Sequence, residues 1–266
     1  MFSLWIKLII SFSLAFFVSW VAFKREFLTK SGAVATFFLA VVIFYYGGIK
    51  WSIPVLMFFL PSSFLSKLNN SKRSGFQNIF EKSGSRDFWQ VSANGGAGGI
   101  LVLVNHFIPS ETWFYLYVAY LSIMSADTWA TELGTLKSRK TYNVLTFRPV
   151  EQGISGGVSL FGIFASLAGS SVVVLSALPW LTGNPGIIFL LIITGLLGSL
   201  IDSVLGATVQ VQYKCGNCFA VTERKKHCNI ETTKIKGISW FNNDWVNFSA
   251  GITGILIFYL IGKLFA

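Results

Sequence analysis

The sequence predicts an all-α, polytopic membrane bundle of about eight helices, six to eight depending on whether two short segments cross. Three observations predict it. Of the 266 residues, 53% are hydrophobic and 12% are charged, with a mean hydropathy of +0.62, more apolar surface than a soluble core can bury. Apolar stretches long enough to cross a bilayer recur along the chain and are joined by short polar segments. The basic residues, Lys7, Lys50 and Lys263 excepted, fall in alternate connections.

Taken in order, residues 2–23 match a bilayer crossing and lack both a basic leader and a small-residue cleavage site, so they read as a retained span rather than a signal peptide. Residues 31–46 and 52–65 are short for a ~30 Å hydrocarbon core. Gly47-Gly48 separates them and Pro54 interrupts the second, a pattern that suits tilted or re-entrant segments. The remaining spans are 90–108, 113–131, 155–180, 186–211 and 246–264. Segments 24–30, 67–87, 132–151 and 214–244 carry net charges of +2, +3, +2 and +3, which account for the whole +10 of the chain. Eight spans put all four on one side, the cytoplasmic side by the positive-inside rule. Topology thus accounts for the charge, and no nucleic-acid partner is implied. A basic rim also suits anionic headgroups or phosphorylated substrates. The chain reads as one membrane domain, 1–266, with cytoplasmic loops at 66–89, 132–154 and 213–244.

A parallel internal repeat is suggested by two units of two spans each. In one, Gly95-Gly96 precedes Asp127-Thr128; in the other, Gly156-Gly157 precedes Asp202-Ser203.

The acids carry the chemistry. Only 11 Asp and Glu are present, yet Asp127 and Asp202 lie inside apolar stretches, where an ionisable group costs roughly 2.5–3.5 kcal/mol and signals function by default. On different spans, they form the better pair for one Mg²⁺, which takes one or two carboxylates plus waters and phosphate oxygens. Thr128 and Ser203 add hydroxyls beside them. Glu132 lies about 140° around a continuous helix from Asp127, so it orients or completes the site rather than sharing the ion. Gln90, Asn94, Gly95 and Gly96, and Ser155, Gly156 and Gly157, read as polar, glycine-rich helix starts whose free N–H groups suit phosphate. Asp244, with Asn243 and Asn247 beside it, exceeds what a helix cap needs and suits a rim to the same pocket. Lys137, Arg148 and Lys214 are candidate phosphate clamps. Separately, Cys215, Cys218, His227 and Cys228 form a C-x2-C and H-C set that can hold a structural Zn²⁺. No G-x-x-x-x-G-K-[ST] phosphate loop is present, so a nucleotide site would be of another kind.

At Gln90 to Gly96, Ser125 to Gly134, Gly153 to Ser159, Gly198 to Gln210 and Trp240 to Asn247, the sequence resembles the membrane family of transmembrane protein 19 and the plant and cyanobacterial phytyl-phosphate kinase. The matching words spread over residues 86–250, and the Cys and His set resembles that of bacterial-type members. The resemblance implies phosphorylation of an isoprenyl monophosphate lipid to its diphosphate by a nucleoside triphosphate, CTP. It also implies residence in a bacterial inner membrane with the active site on the cytoplasmic side. The residues agree in class, because phosphoryl transfer asks chiefly for positioning and charge neutralisation. Two other readings use the same acids: a cytidylyl or phospho-alcohol transferase acting on lipids, and a transporter or flippase with Asp127 and Asp202 as its ion site.

Overall fold

The computed structural model describes residues 2–72, 84–137, 140–181 and 184–264. Eight helices carry the fold: α1 (Phe2–Lys24), α2 (Lys30–Val42), α3 (Gly48–Lys72), α4 (Phe88–Phe107), α5 (Glu111–Lys137), α6 (Leu160–Ser176), α7 (Pro185–Thr208) and α8 (Asn243–Leu264). Successive helices alternate in direction. At the end bearing the basic segments, Lys67 of α3 pairs with Glu26 just after α1 at 3.0 Å, and Asn94 of α4 accepts from Asn247 of α8 at 3.2 Å. At the opposite end, Lys50 of α3 pairs with Glu111 of α5 at 2.8 Å, and His106 packs on Tyr46.

The second and third segments differ from the short pieces the sequence predicts. α2 continues through a π-helical turn at Ile43–Gly47, and Gly48, at φ +62°, then reverses the chain where a side chain would be strained. α3 runs for 25 residues and carries both Pro54 and Pro61 without ending. Neither proline ends it, because in a membrane bundle neighbours can re-satisfy the freed carbonyls.

By length and composition, the described stretches Leu4–Lys24, Lys30–Asn69, Pro185–Thr208 and Asn243–Lys263 are apolar enough to cross a membrane, and Leu160–Ser176 is a shorter apolar helix. The bundle exposes large apolar side chains outward, among them Phe16, Phe38, Phe164, Phe189 and Leu260, as a lipid-facing surface requires. The remaining helices, α4 and α5, carry the polar residues described below.

α5 is the axis. Tyr117, Val118, Ala119, Tyr120, Leu121 and Ile123 are all 0% exposed, so every side of the helix is covered. Its neighbours approach through small residues. A Cβ on Gly198 of α7 would lie 2.4 Å from Ile123, and one on Gly251 of α8 would lie 2.4 Å from Tyr120. Buried hydroxyls finish the packing: Tyr117 donates to the Trp51 carbonyl at 2.6 Å, and Ser125 to that of Gly169 at 2.8 Å.

Three small antiparallel sheets cap the basic end. β1 (Thr141–Asn143), β2 (Pro149–Val150) and β3 (Gly157–Val158) form one in the order β2-β1-β3 between α5 and α6. Between α7 and α8 lie β4 (Gln212–Lys214), β5 (Val221–Thr222), β6 (Lys226–His227), β7 (Ile230–Glu231) and β8 (Thr233–Lys236), paired as β5-β4-β8 and β6-β7. The two-helix units α4–α5 and α6–α7 share order and direction. Their glycine pairs are not equivalent, since Gly95-Gly96 lies within α4 and Gly157 within β3.

Gly198→Ala should destabilise the protein by about 1–3 kcal/mol, because fully buried Ile123 cannot give way. Gly262→Ala, which meets open space, should be neutral or slightly stabilising. Thermal unfolding of both variants in detergent checks the contrast.

Candidate functional site

Where α4 to α8 converge at the basic end, they enclose a cavity of about 210 Å³. Asp127 enters it from α5 and Asp202 from α7. Asp127 lies ten residues from the end of its helix and Asp202 six from its own, so the floor is ~9–15 Å below that end. Asp127 accepts a hydrogen bond from Ser199, and the Asp202 carboxyl is close enough to those of Asp127 and Glu223 to be repelled by each. The Oδ2 of Asp202 is buried without a hydrogen-bond partner, as is the Oδ1 of Asn247. Buried polar atoms are rarely left so. Two repelling carboxylates and orphaned oxygens facing one polar cavity are the donor set a hard divalent cation takes, so the residues fit the Mg²⁺ expected from sequence. No third carboxylate completes a cluster around them among the described residues.

The other predicted residues divide. Gln90, Asn94, Thr128, Glu132, Ser155, Gly156, Gly157, Ser203, Asn243 and Asn247 all line the cavity. Thr128 donates back to the Met124 carbonyl at 2.8 Å and Ser203 to that of Ser199 at 3.2 Å, leaving oxygen lone pairs for a ligand. Glu132 is held by the amide of Asn69, which also reaches the Glu132 carbonyl at 2.8 Å. Glu132 is thereby fixed at the rim of the cavity. Gln90 is committed to a capping box: its N–H donates to Asp87 at 2.9 Å while its Oε1 accepts from the Asp87 N–H.

Several expectations are corrected. Neither glycine-rich word starts a helix. α4 begins at Phe88 under the Asp87 cap, so Asn94, Gly95 and Gly96 lie in its interior, where their N–H groups serve the helix. Gly95 packs on Leu39, with 2.6 Å between that side chain and a notional Cβ. Ser155, Gly156 and Gly157 precede α6, whose cap is Ser159, donated to by Gly162 N–H at 3.1 Å. Gly156, at φ +85°, presses against Ala207 of α7, and only glycine meets both conditions. Arg148, just before β2, and Lys214, at the end of β4, are exposed and do not line the cavity. Lys137 ends α5 and its side chain lies outside the described residues, as do residues 73–83 of the 66–89 loop. Asp244 is buried in the first turn of α8 without lining the cavity, and Asn242 is the cap, accepting from the Asp244 N–H at 3.2 Å.

Two residues that sequence reasoning passed over contribute most. Arg86 is 9% exposed and lines the cavity, its backbone tied to Phe27 and Thr29 and its guanidinium set against Ser63, Phe58 and Phe59. Burial lowers it to about 10, opposed by Glu132, so it stays charged at neutral pH. Glu223, 8% exposed, accepts from Ser155 at 2.6 Å and from Gln210 at 2.8 Å, forming a roof. Both sit in loops whose charge the topology rule explains completely, so composition hides them. The only sequence signal is an Arg immediately before the Asp87 cap.

Cys215, Cys218, His227 and Cys228 do come together, with their ligand atoms all within 4.8 Å of one another. The Cys215 thiol is held down to about 6, chiefly by the Cys218 backbone N–H.

Fold and cavity define an integral membrane protein with a polar, acid-lined site inside a helical bundle. The chain belongs to the family described as integral membrane protein DUF92, whose model matches residues 13–255, the family to which the motif resemblance points. It is 30% identical to Protein PGR of Arabidopsis thaliana, over 91% of each chain. It is 25% identical to an uncharacterized membrane protein of Methanocaldococcus jannaschii, over 88% of this chain and 92% of the relative. A third relative, an uncharacterized membrane protein of Synechocystis sp., is 28% identical over 70% of this chain and 73% of its own. No solved structure matches.

In metal-free buffer, Asp202→Asn should raise the unfolding midpoint, since it removes a carboxyl that is buried and that lies beside Asp127 and Glu223. Added Mg²⁺ should stabilise the parent protein and leave the variant unmoved. Differential scanning fluorimetry with a magnesium titration reads both effects.

Proposed function

We propose that the protein is a membrane-embedded isoprenyl-phosphate kinase, transferring the terminal phosphoryl group of a nucleoside triphosphate, CTP by family resemblance, to a phytyl-like prenyl monophosphate. The observation that carries the reading is a junction. Arg86, Gln90 and Asn94 line both the acidic cavity and an adjoining apolar groove walled by Leu39, Ile43, Phe44, Val55, Phe58 and Phe59. A ligand using both has an anionic head and a hydrocarbon tail. The Arg86 guanidinium stands where such a head would meet the cavity, and Arg pairs with phosphate through two parallel hydrogen bonds.

In this reading an oxygen of the lipid phosphate attacks the γ-phosphorus, the bond from that phosphorus to the β-bridging oxygen breaks, and a nucleoside diphosphate leaves. The acceptor is already an anion, so no side chain has to remove a proton. Asp127 and Asp202 would hold Mg²⁺, which supplies charge neutralisation on the transferring group. Asn94, Asn243 and Asn247 orient phosphate oxygens, Arg86 binds the acceptor, and Glu132 holds the field around Arg86. The fold places the site at the basic end, which this reading puts on the cytoplasmic face of a bacterial inner membrane, where nucleotide is available.

Detergent-purified protein given Mg²⁺, γ-labelled CTP or ATP and a panel of prenyl monophosphates should pass label into a lipid diphosphate. Asp127→Asn and Asp202→Asn should abolish turnover while still inserting into membranes. Arg86→Gln should raise KM for the lipid roughly tenfold to a hundredfold, the worth of one charge-assisted contact. Full activity in both aspartate variants would overturn the assignment. Pyrophosphate release without label in the lipid would point to cytidylyl transfer.

A further inference from the structure

The segment between α7 and α8 has no use for its four soft ligands in the reaction above. It is also a poor candidate for folding by burial. Phe219, Ile230, Ile235 and Ile238 are exposed, and β7 is exposed throughout. A lobe of about 30 residues does not build a sufficient hydrophobic core, and units below roughly 40 residues usually need a metal or a crosslink.

The backbone aims those ligands at one point. β4 ends at Lys214 and delivers Cys215, whose carbonyl accepts from Phe219 N–H at 3.1 Å and whose N–H donates to Ala220 at 3.0 Å. Phe219 takes φ +59°, so the chain turns tightly and brings buried Cys215 and exposed Cys218 to one side of the turn. β6 and β7 pair as a hairpin with His227 opposite Ile230, leaving a two-residue loop, Cys228-Asn229. Both loop residues have positive φ, +50° and +61°, the geometry of a type I′ turn. Neighbours in sequence such as His227 and Cys228 ordinarily point apart, and this turn swings the Cys228 sulfur back beside the ring of His227. Cys228 Sγ lies 3.2 Å from His227 Nδ1 and 3.7 Å from Cys218 Sγ, and Cys218 Sγ lies 3.4 Å from that nitrogen. A tetrahedral zinc with bonds of ~2.3 Å to sulfur and ~2.0 Å to nitrogen has edges of ~3.8 Å and ~3.5 Å, close to these separations.

The knuckle is wired to the cavity. Five residues after Cys218, along β5, comes Glu223, the acceptor for Ser155 and Gln210. We infer that Cys215, Cys218, His227 and Cys228 bind one structural Zn²⁺, and that this ion pins β4 and β5 so that Glu223 stays seated over Ser155. The site is closed by four protein ligands and takes no part in the chemistry; Glu223 is a positioning residue governed through it.

The test uses full-length protein purified under reducing, chelator-free conditions, and none of its readouts depends on kinase activity. Elemental analysis should find about one zinc per chain, falling to background in Cys215→Ser/Cys218→Ser. Cobalt exchanged into the site should show the absorption of a tetrahedral thiolate centre. Glu223→Gln should keep its zinc, separating the ion from the roof. Chelation should speed backbone hydrogen exchange across residues 210–236 while α5 and α7 stay protected. Zinc-free, folded, reduced protein without cobalt bands would overturn the site, as would a native Cys218–Cys228 disulfide. Exchange at 210–236 unaltered by chelation would overturn the link to Glu223.

Discussion

The structure depends on covering one helix on every side. α5 has no lipid-facing surface over most of its length, with Tyr117 to Ile123 fully buried, and five other helices lie against it. Apolar burial alone does not drive helices together inside a bilayer, because lipid tails are as apolar as leucine. Close backbone approach does, and Gly198 and Gly251 supply it by leaving room for Ile123 and Tyr120. Buried hydroxyls that donate to a neighbour's carbonyl, such as Tyr117 to Trp51, then fix rotation and depth.

The cavity is a consequence of the same axis. α5 changes character at Asp127, and the helices packed around it bring Asp202, Asn94 and Asn247 to the same level. Carboxylates that repel one another are tolerated in a buried place when a cation is part of the working state. Arg86 supplies a fixed positive charge at one wall, held by its backbone ties to the α1–α2 connection and by two phenylalanine faces. Arg86 and the acids thus line one polar space, and Arg86 also lines the adjoining apolar groove.

Much of this was legible in the sequence because it is encoded locally. Composition and the alternation of basic segments determined the class, the helical architecture and the common end at which the acids lie. Asp127 and Asp202 stand out because charge inside an apolar stretch is costly wherever the helices pack. The Cys and His spacing likewise places four soft side chains within one short loop, and they come together in the fold.

What only the tertiary structure decided is who meets whom. Gly95 reads as a phosphate cradle and serves as a packing surface for Leu39, since whether a glycine starts a helix or sits inside it depends on the Asp87 cap, at the start of the same helix, and on the neighbouring helix. Arg86 and Glu223 read as two more charges in polar loops, and their burial comes from contacts with residues far along the chain. Side-chain type and spacing are properties of the sequence, whereas burial, and with it the strength of every charge, is a property of the packed bundle.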